Sequence, residues 1–361
     1  MTTASGIGSW PGTDIREVIR LVRDTLGSLG AEGPVPGPAR DEAPAPDVRG
    51  LPYLPELPQR GPGADLVGRG AGLLVDLPVD LQPSGWRLVD RPGRDAGRTA
   101  SMLTQDLDEL AEAYDGWTGR LKLQVTGPWS LAASIWLHRG ERLLVDEGAT
   151  RDLVESLTEG VRVHLATVQR LVPGAELVLQ VDEPSLPAVL EGLLPTASGY
   201  GRVRVVDPTD ALTALRGVLE GAGGRETLVH CCAPGAPLAL LRQTGGGIAV
   251  DTTLLGPRGW EGVAVAVDEG IALYAGCVPT DPATSTATIS TATTSTATTT
   301  PDEVADAMVA QWRRLDLPLA SLDAVVMTPS CGLGTLSDEA ARRTHRLTIE
   351  SATELTERAV D

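Results

Sequence analysis

Phenylalanine and asparagine are absent from the chain, and lysine occurs once, as Lys122. Aromatic residues make up 3% of the sequence, so aromatic core packing rests on seven Trp and four Tyr. Together with the abundance of Ala, Gly, Arg and Val, these gaps match codon bias in a GC-rich genome rather than a functional demand. Basic residues are also scarce: 30 Lys+Arg face 48 Asp+Glu, a formal net charge of -18 at pH 7. Such a chain repels phosphate backbones, which argues against a nucleic-acid partner. No apolar run approaches the length of a membrane span. The N-terminal MTTASGIGSW lacks a basic stretch followed by an apolar segment, so no signal peptide is expected. The expectation is a cytoplasmic protein without a membrane partner. Thiols stay reduced there, so the four cysteines read as metal ligands, catalytic groups or buried thiols rather than a disulfide framework.

What is present suits a sizeable core. Hydrophobic residues make up 42% and charged residues 22% of 361 residues, a length that fits one large α/β barrel. Short apolar runs recur at Ser5–Ser9, Gly72–Leu77, Leu121–Thr126, Leu177–Asp182, Thr227–Cys231, Gly247–Asp251, Ile271–Gly276 and Ala324–Thr328. They are continuous rather than alternating, the pattern of strands covered on both faces. Helical spacing falls between them, at Asp14–Leu29, Arg151–Leu171, Thr209–Leu219, Pro237–Arg242, Gly259–Glu269, Pro301–Leu315 and Ser337–Arg358. Pro301-Asp302-Glu303 reads as a helix start. Eight strands alternating with helices predict a single (β/α)8 TIM barrel, with a doubly wound open sheet as the alternative. The Pro/Gly-rich stretch 31–58 reads as a long loop over the barrel mouth. The Thr/Ala-rich stretch 283–300 has no periodic apolar face and reads as a flexible insertion, either a lid or a neutral expansion.

In a barrel the reacting groups sit at the C-terminal ends of strands. Asp182 and Glu183 end the fourth predicted strand, His230, Cys231 and Cys232 end the fifth, and Asp251 ends the sixth; Cys277 and Cys331 follow the seventh and eighth. Along an extended chain residues i and i+2 point the same way, so His230 and Cys232 can face one site while Cys231 turns into the wall. With Cys331 from the Gly-flanked segment Thr328-Pro329-Ser330-Cys331-Gly332 and an oxygen from Asp251, one imidazole, two thiolates and one carboxylate make a tetrahedral zinc set. Cysteine also packs as a small hydrophobe, the simpler reading of Cys231 and Cys277. Asp182-Glu183-Pro184 places two acids at the mouth, where a carboxylate can hold a substrate ammonium; a solvated loop entrance or a helix cap is the other reading. Gly6-Ile7-Gly8-Ser9 is a Gly-rich strand end whose backbone N–H groups can hold a carboxylate or phosphate, although it lacks dinucleotide-loop and P-loop spacing.

Several segments together resemble a known family. Gly6-Ile7-Gly8-Ser9-Trp10-Pro11, Thr126-Gly127-Pro128, Gln180-Val181-Asp182-Glu183-Pro184, His230-x-Cys232, Ile248-Ala249-Val250-Asp251-Thr252 and Pro329-Ser330-Cys331-Gly332-Leu333 span almost the whole chain. In that order they resemble the C-terminal catalytic barrel of the cobalamin-independent methionine synthases, especially short single-barrel versions. The wider superfamily includes uroporphyrinogen decarboxylase. The resemblance implies zinc held by His230, Cys232, Asp251 and Cys331, where the best-known members have Glu in place of Asp251. It implies homocysteine bound through the backbone at Ile7, Gly8 and Ser9, with Asp182 and Glu56 near the substrate ammonium. The implied reaction moves a methyl group from methyltetrahydrofolate, or from a methylated corrinoid that a corrinoid protein could carry, to the homocysteine sulfur.

Two departures bear on the donor. The family's proton-donating His after the seventh strand is replaced by Cys277-Val278-Pro279-Thr280-Asp281, which leaves Asp281 or water as the acid. The folate-stacking Trp is replaced by Ser134, with Trp129 and Trp136 nearby. The alternative readings are a zinc thiol alkyltransferase acting on another thiol and a non-catalytic zinc-binding barrel.

Overall fold

The computed structural model describes residues 1–29, 48–280 and 299–360. In chain order these form β1 (Thr3–Ser5), α1 (Ile15–Leu26), β2 (Arg49–Leu51), α2 (Leu66–Leu73), β3 (Val79–Gln82), β4 (Gly85–Leu88), α3 (Arg94–Ala113), β5 (Gly119–Thr126), α4 (Pro128–Ser134), α5 (Glu147–Leu171), β6 (Ala175–Asp182), α6 (Leu186–Leu190), α7 (Pro208–Glu220), β7 (Glu226–Cys231), α8 (Leu238–Leu241), β8 (Gly247–Asp251), α9 (Pro257–Asp268), β9 (Leu273–Val278), α10 (Pro301–Arg314), β10 (Val326–Pro329) and α11 (Asp338–Val360). Eight parallel strands run in the order β2-β1-β10-β9-β8-β7-β6-β5, and β3 and β4 form a separate antiparallel pair. The two edges of the large sheet meet: Tyr53 bridges Lys122, with Lys122 N donating to Pro52 O at 2.9 Å and Leu54 N to Lys122 O at 3.1 Å. The sheet therefore curls into a (β/α)8 barrel, and the open doubly wound alternative is excluded. Among the described residues no helix is long and apolar enough to cross a membrane.

Alternation along the strands divides the residues between two environments. Leu179, Val181, Val229 and Cys231 face outward into the main apolar core beneath the helices. Leu51, Val178, Leu228, Ala249, Tyr274 and Val326 form a second apolar cluster, one side chain from each of six strands, inside the barrel. At one end of that cluster Tyr274 donates to Glu226, which also pairs with Arg120. Toward the C-terminal ends the interior turns polar, with Lys122, Gln124, Gln180, Asp182 and His230 all buried. The helices follow from ordinary rules. Asp146 caps α5 by accepting from Ala149 N, and Leu153, Leu157, Val161, Leu165 and Val168 lie buried along its stripe. A reciprocal Thr300–Glu303 capping box starts α10.

The structure corrects several sequence expectations. The second barrel strand is not Gly72–Leu77, whose start is the end of α2 and whose remainder is loop; it is Arg49–Leu51, inside the stretch expected to be a loop. The first strand is Thr3–Ser5 rather than Ser5–Ser9. Helix α3 and the β3–β4 pair were not anticipated. Residues 31–47 of the expected loop and 283–298 of the expected insertion lie outside the described residues, as does Asp281.

The three-residue β2 packs hard against α1. A Cβ built on Gly50 would lie 1.8 Å from the Leu26 carbonyl oxygen, so only glycine fits there. Gly50→Ala is expected to cost about 2 kcal/mol, in the usual range for overpacking; urea unfolding of the two proteins measures it.

Candidate functional site

Register brings the candidate residues together at the C-terminal rim. Asp182 on β6 lies beside His230 on β7, and Asp251 on β8 beside Gly276 on β9. Asp182 Oδ1 sits 2.7 Å from His230 Nδ1 and also accepts from Gln180 Nε2 at 2.7 Å. The other ring nitrogen, Nε2 of His230, is buried without a hydrogen-bond partner among the described residues. Such an atom loses its water and gains nothing in return, unless something else occupies it.

Beyond the end of β7 the Cys232 and Cys331 sulfurs lie 3.1 Å apart. Cys232 stays above the ordinary thiol range, chiefly through its hydrogen bond to Cys331, and Cys331 falls below it for the same reason, aided by His230 and the Gly332 N–H. Cys231 points the other way into the core, where burial pushes its thiol up to about 12. Burial does the same to Cys277, whose sulfur lies 4.0 Å from the Thr328 carbonyl.

Asp251 is turned toward its own loop. Its Oδ1 accepts from Thr253 N at 2.9 Å and Thr253 Oγ1 at 2.6 Å, while partial burial raises its pKa. Among the described residues no three His, Cys, Asp or Glu side chains converge closely enough to hold a metal ion as they stand. The structure brings the four predicted ligands to one rim as a sulfur pair, an unpartnered imidazole nitrogen and a separately engaged carboxylate.

The carbonyls of Ile7, Gly8 and Ser9 are all used. Ile7 O accepts from Lys122 Nζ and Gln180 Nε2, Gly8 O from Glu56 N, and Ser9 O from Leu333 N. Their three backbone N–H groups have no partner among the described residues. Glu56 is buried and paired with Arg69, Nε to Oε1 at 3.1 Å. Arg69 also meets Asp106 at 2.6 Å, and Asp106 meets Arg60, so two acids and two guanidiniums form one buried chain between α2, α3 and the barrel rim. Burial raises the Glu56 carboxyl, which Arg69 opposes and Asp182 reinforces. A small cavity beside this chain is lined by Glu56, Arg69, Gln124 and His164 on its polar side and by Leu73, Leu103 and Val125 on its apolar side. Arg69 and Asp106 escaped the sequence reading; the Leu103, Leu107 and Leu110 spacing of α3 was the signal that could have located Asp106.

Glu183 does not line the mouth. It is fully buried, and its oxygens accept from Trp129 N at 2.9 Å and from Ser130 N and Ser130 Oγ at 2.8 Å each. It satisfies the first N–H groups of α4, the helix-cap reading of this acid. Trp129 is buried, with Nε1 bonded to Ala211 O, whereas Trp136 lies between the guanidiniums of Arg87 and Arg142. Glu183→Ala would strand two buried N–H groups. It is expected to cost about 3 kcal/mol at one to three for each orphaned donor, read from urea unfolding.

The chain matches no family model and no curated protein. It is similar in fold to the solved structure of a B12-independent methionine synthase from Shewanella sp. W3-18-1 in complex with selenomethionine. The TM-score is 0.50 at 15% identity, covering 76% of this chain and 72% of that one.

Proposed function

We propose that the protein is a zinc-dependent methyltransferase that moves a methyl group from methyltetrahydrofolate or a methylcorrinoid to the sulfur of homocysteine, giving methionine. The observation that carries this reading is the buried Nε2 of His230, unpartnered among the described residues, at the same rim as the Cys232 and Cys331 sulfurs 3.1 Å apart. An unpartnered imidazole nitrogen and two adjacent thiols are the donor chemistry of a zinc site. His230, Cys232 and Cys331 would hold the ion, with Asp251 as fourth ligand once released from Thr253. A bound zinc ion supplies a deprotonated, nucleophilic substrate thiolate at neutral pH.

The remaining groups bind and orient. The N–H groups of Ile7, Gly8 and Ser9, which have no partner among the described residues, suit an amino-acid carboxylate. Asp182 and Glu56 give an ammonium-bearing thiol an acidic surround, which favours homocysteine over a sulfonate thiol. Asp182 would do so while still accepting the hydrogen bond from His230 Nδ1. In the transfer a carbon–sulfur bond forms as the bond from methyl to nitrogen or cobalt breaks, and its electron pair leaves with the donor. A folate nitrogen then needs a proton, and Asp281 is the proposed acid; a corrinoid leaves without one. Holding sulfur and methyl in line is the main rate contribution required of the protein.

Elemental analysis of the purified protein tests the reading first. About one zinc per chain is expected from a four-ligand site. Cys331→Ser should fold, lose the zinc and lose methyl transfer to homocysteine. Cys231→Ser should keep both. A metal-free wild type after zinc-supplemented purification, or a fully active Cys331→Ser, would sink the assignment.

A further inference from the structure

We infer that Arg69 is a positioning residue for Glu56. Backed by Asp106, it holds the Glu56 carboxylate at the barrel rim beside Gly8 and Ser9, and so sets the preference for a ligand that carries an ammonium group. The ligand half of this inference rests on the proposed function; the effect on Glu56 does not.

The backbone puts Glu56 in place. Its N–H donates to Gly8 O at 3.1 Å and its carbonyl accepts from Trp10 N at 2.8 Å, which ties it to the segment proposed to hold the substrate carboxylate. Its side chain is buried, and among the described residues Arg69 is the only cation within ion-pair distance of it, Nε to Oε1 at 3.1 Å. The rest of the guanidinium is already engaged. Arg69 Nη1 donates to Asp106 Oδ2 at 2.6 Å, and the fully buried Asp106 takes Arg60 on its other oxygen. The donors of a guanidinium form a planar, rigid fork, so the bond to Asp106 sets the plane in which Arg69 Nε–H meets Glu56. The second oxygen of Glu56 has no ion-pair partner among the described residues and is left for a ligand.

The groups that face Glu56 are Arg69 from α2, Gln124 and Lys122 from β5, Asp182 from β6 and, across the small cavity, His164 from α5. His164 adds no charge at neutral pH, because burial, with Arg69 nearby, pushes its ring down to about 4. Burial likewise pushes the Lys122 ammonium down to about 7. Burial raises the Glu56 carboxyl, Arg69 opposes that rise, and Asp182 adds to it. Without the guanidinium the buried carboxylate must take a proton or leave its place, and a bound ammonium loses a fixed anion in either case. Loss of the cation raises the proton affinity of Glu56, so its titration moves to higher pH. Asp106 keeps Arg60, so removal of Arg69 leaves a single acid, Glu56, without its partner.

The first readout needs no ligand: carbon-13 NMR of the glutamate carboxyls across pH, with Glu56→Gln identifying the signal. Arg69→Met should raise the proton affinity of Glu56 by roughly 10- to 1000-fold, the usual effect of losing an opposite charge at this distance. Arg69→Gln keeps an amide without the charge, should shift the titration the same way, and carries the test if Arg69→Met does not fold. The second readout is calorimetric binding of homocysteine and of 4-mercaptobutanoate, the same thiol acid without the amine. It uses protein purified with zinc, at a pH between the wild-type and variant midpoints. Wild type should prefer homocysteine. The variant should lose roughly 10- to 100-fold of that preference, the worth of a hydrogen bond to a charged group, and keep its affinity for 4-mercaptobutanoate. Ser156→Ala, which removes a buried hydrogen bond from α5 to Val75 O, should change neither readout. The inference is overturned by an unmoved Glu56 titration in a folded Arg69→Met or Arg69→Gln, or by the same shift in Ser156→Ala. A preference for homocysteine that persists where the titration has moved also overturns it. If wild type ignores the amine yet the Glu56 titration responds as described, the proposed function fails and the placement of Glu56 by Arg69 stands.

Discussion

One buried amine organises the upper half of this barrel. Polar groups inside a protein must be satisfied almost completely, because the low dielectric that strengthens a made hydrogen bond also raises the cost of a missing one. Lys122 meets that demand twice. Its backbone closes the barrel by bonding to Pro52 and Leu54, and its side chain joins the Ile7 carbonyl to Gln180. From Gln180 the chain of contacts passes to Asp182 and His230 and stops at a nitrogen with no partner among the described residues. Every atom along that route has its role set by its neighbour, and the unsatisfied end lies at the rim where the two thiols also gather.

A second polar assembly holds the rim from outside. Arg60, Asp106, Arg69 and Glu56 alternate in charge and are almost wholly withdrawn from water. Taking four charges out of water is costly, and the attraction between them recovers that cost only when each is well bonded. Such a chain is weak evidence for stability and better evidence for registration: it fixes α2 and α3 against the strand ends that carry Glu56 and Gln124.

Much of this was legible in the sequence. Strands β5 to β9 read as apolar runs because both faces are covered, and the i, i+2 rule placed His230 and Cys232 on one side and Cys231 on the other. The failures have physical causes. β2 is three residues long and gains its place from backbone contact with α1 rather than from an apolar run of its own, so it left almost no trace in composition. The GLLVDL run looked like a strand because short apolar runs do not distinguish a strand from the buried end of a helix. Glu183 was placed at the mouth beside Asp182, but the chain turns after β6, and the acid meets N–H groups of α4, a segment distant in sequence. The Arg69–Glu56 pairing joins two separate segments, and nothing local announces it.

The lone lysine has a consequence for the outside of the molecule. All but one of the 30 basic side chains are arginine, and the exception is sealed in the barrel. The amino terminus, paired with Asp323 at 2.8 Å, is then the only amine of the described structure that faces solvent. Guanidinium groups neither titrate near neutral pH nor accept acyl groups as amines do. Apart from that terminus and the exposed His138, the positive part of the surface is guanidinium, and it is closed to acylation and conjugation chemistry at lysine.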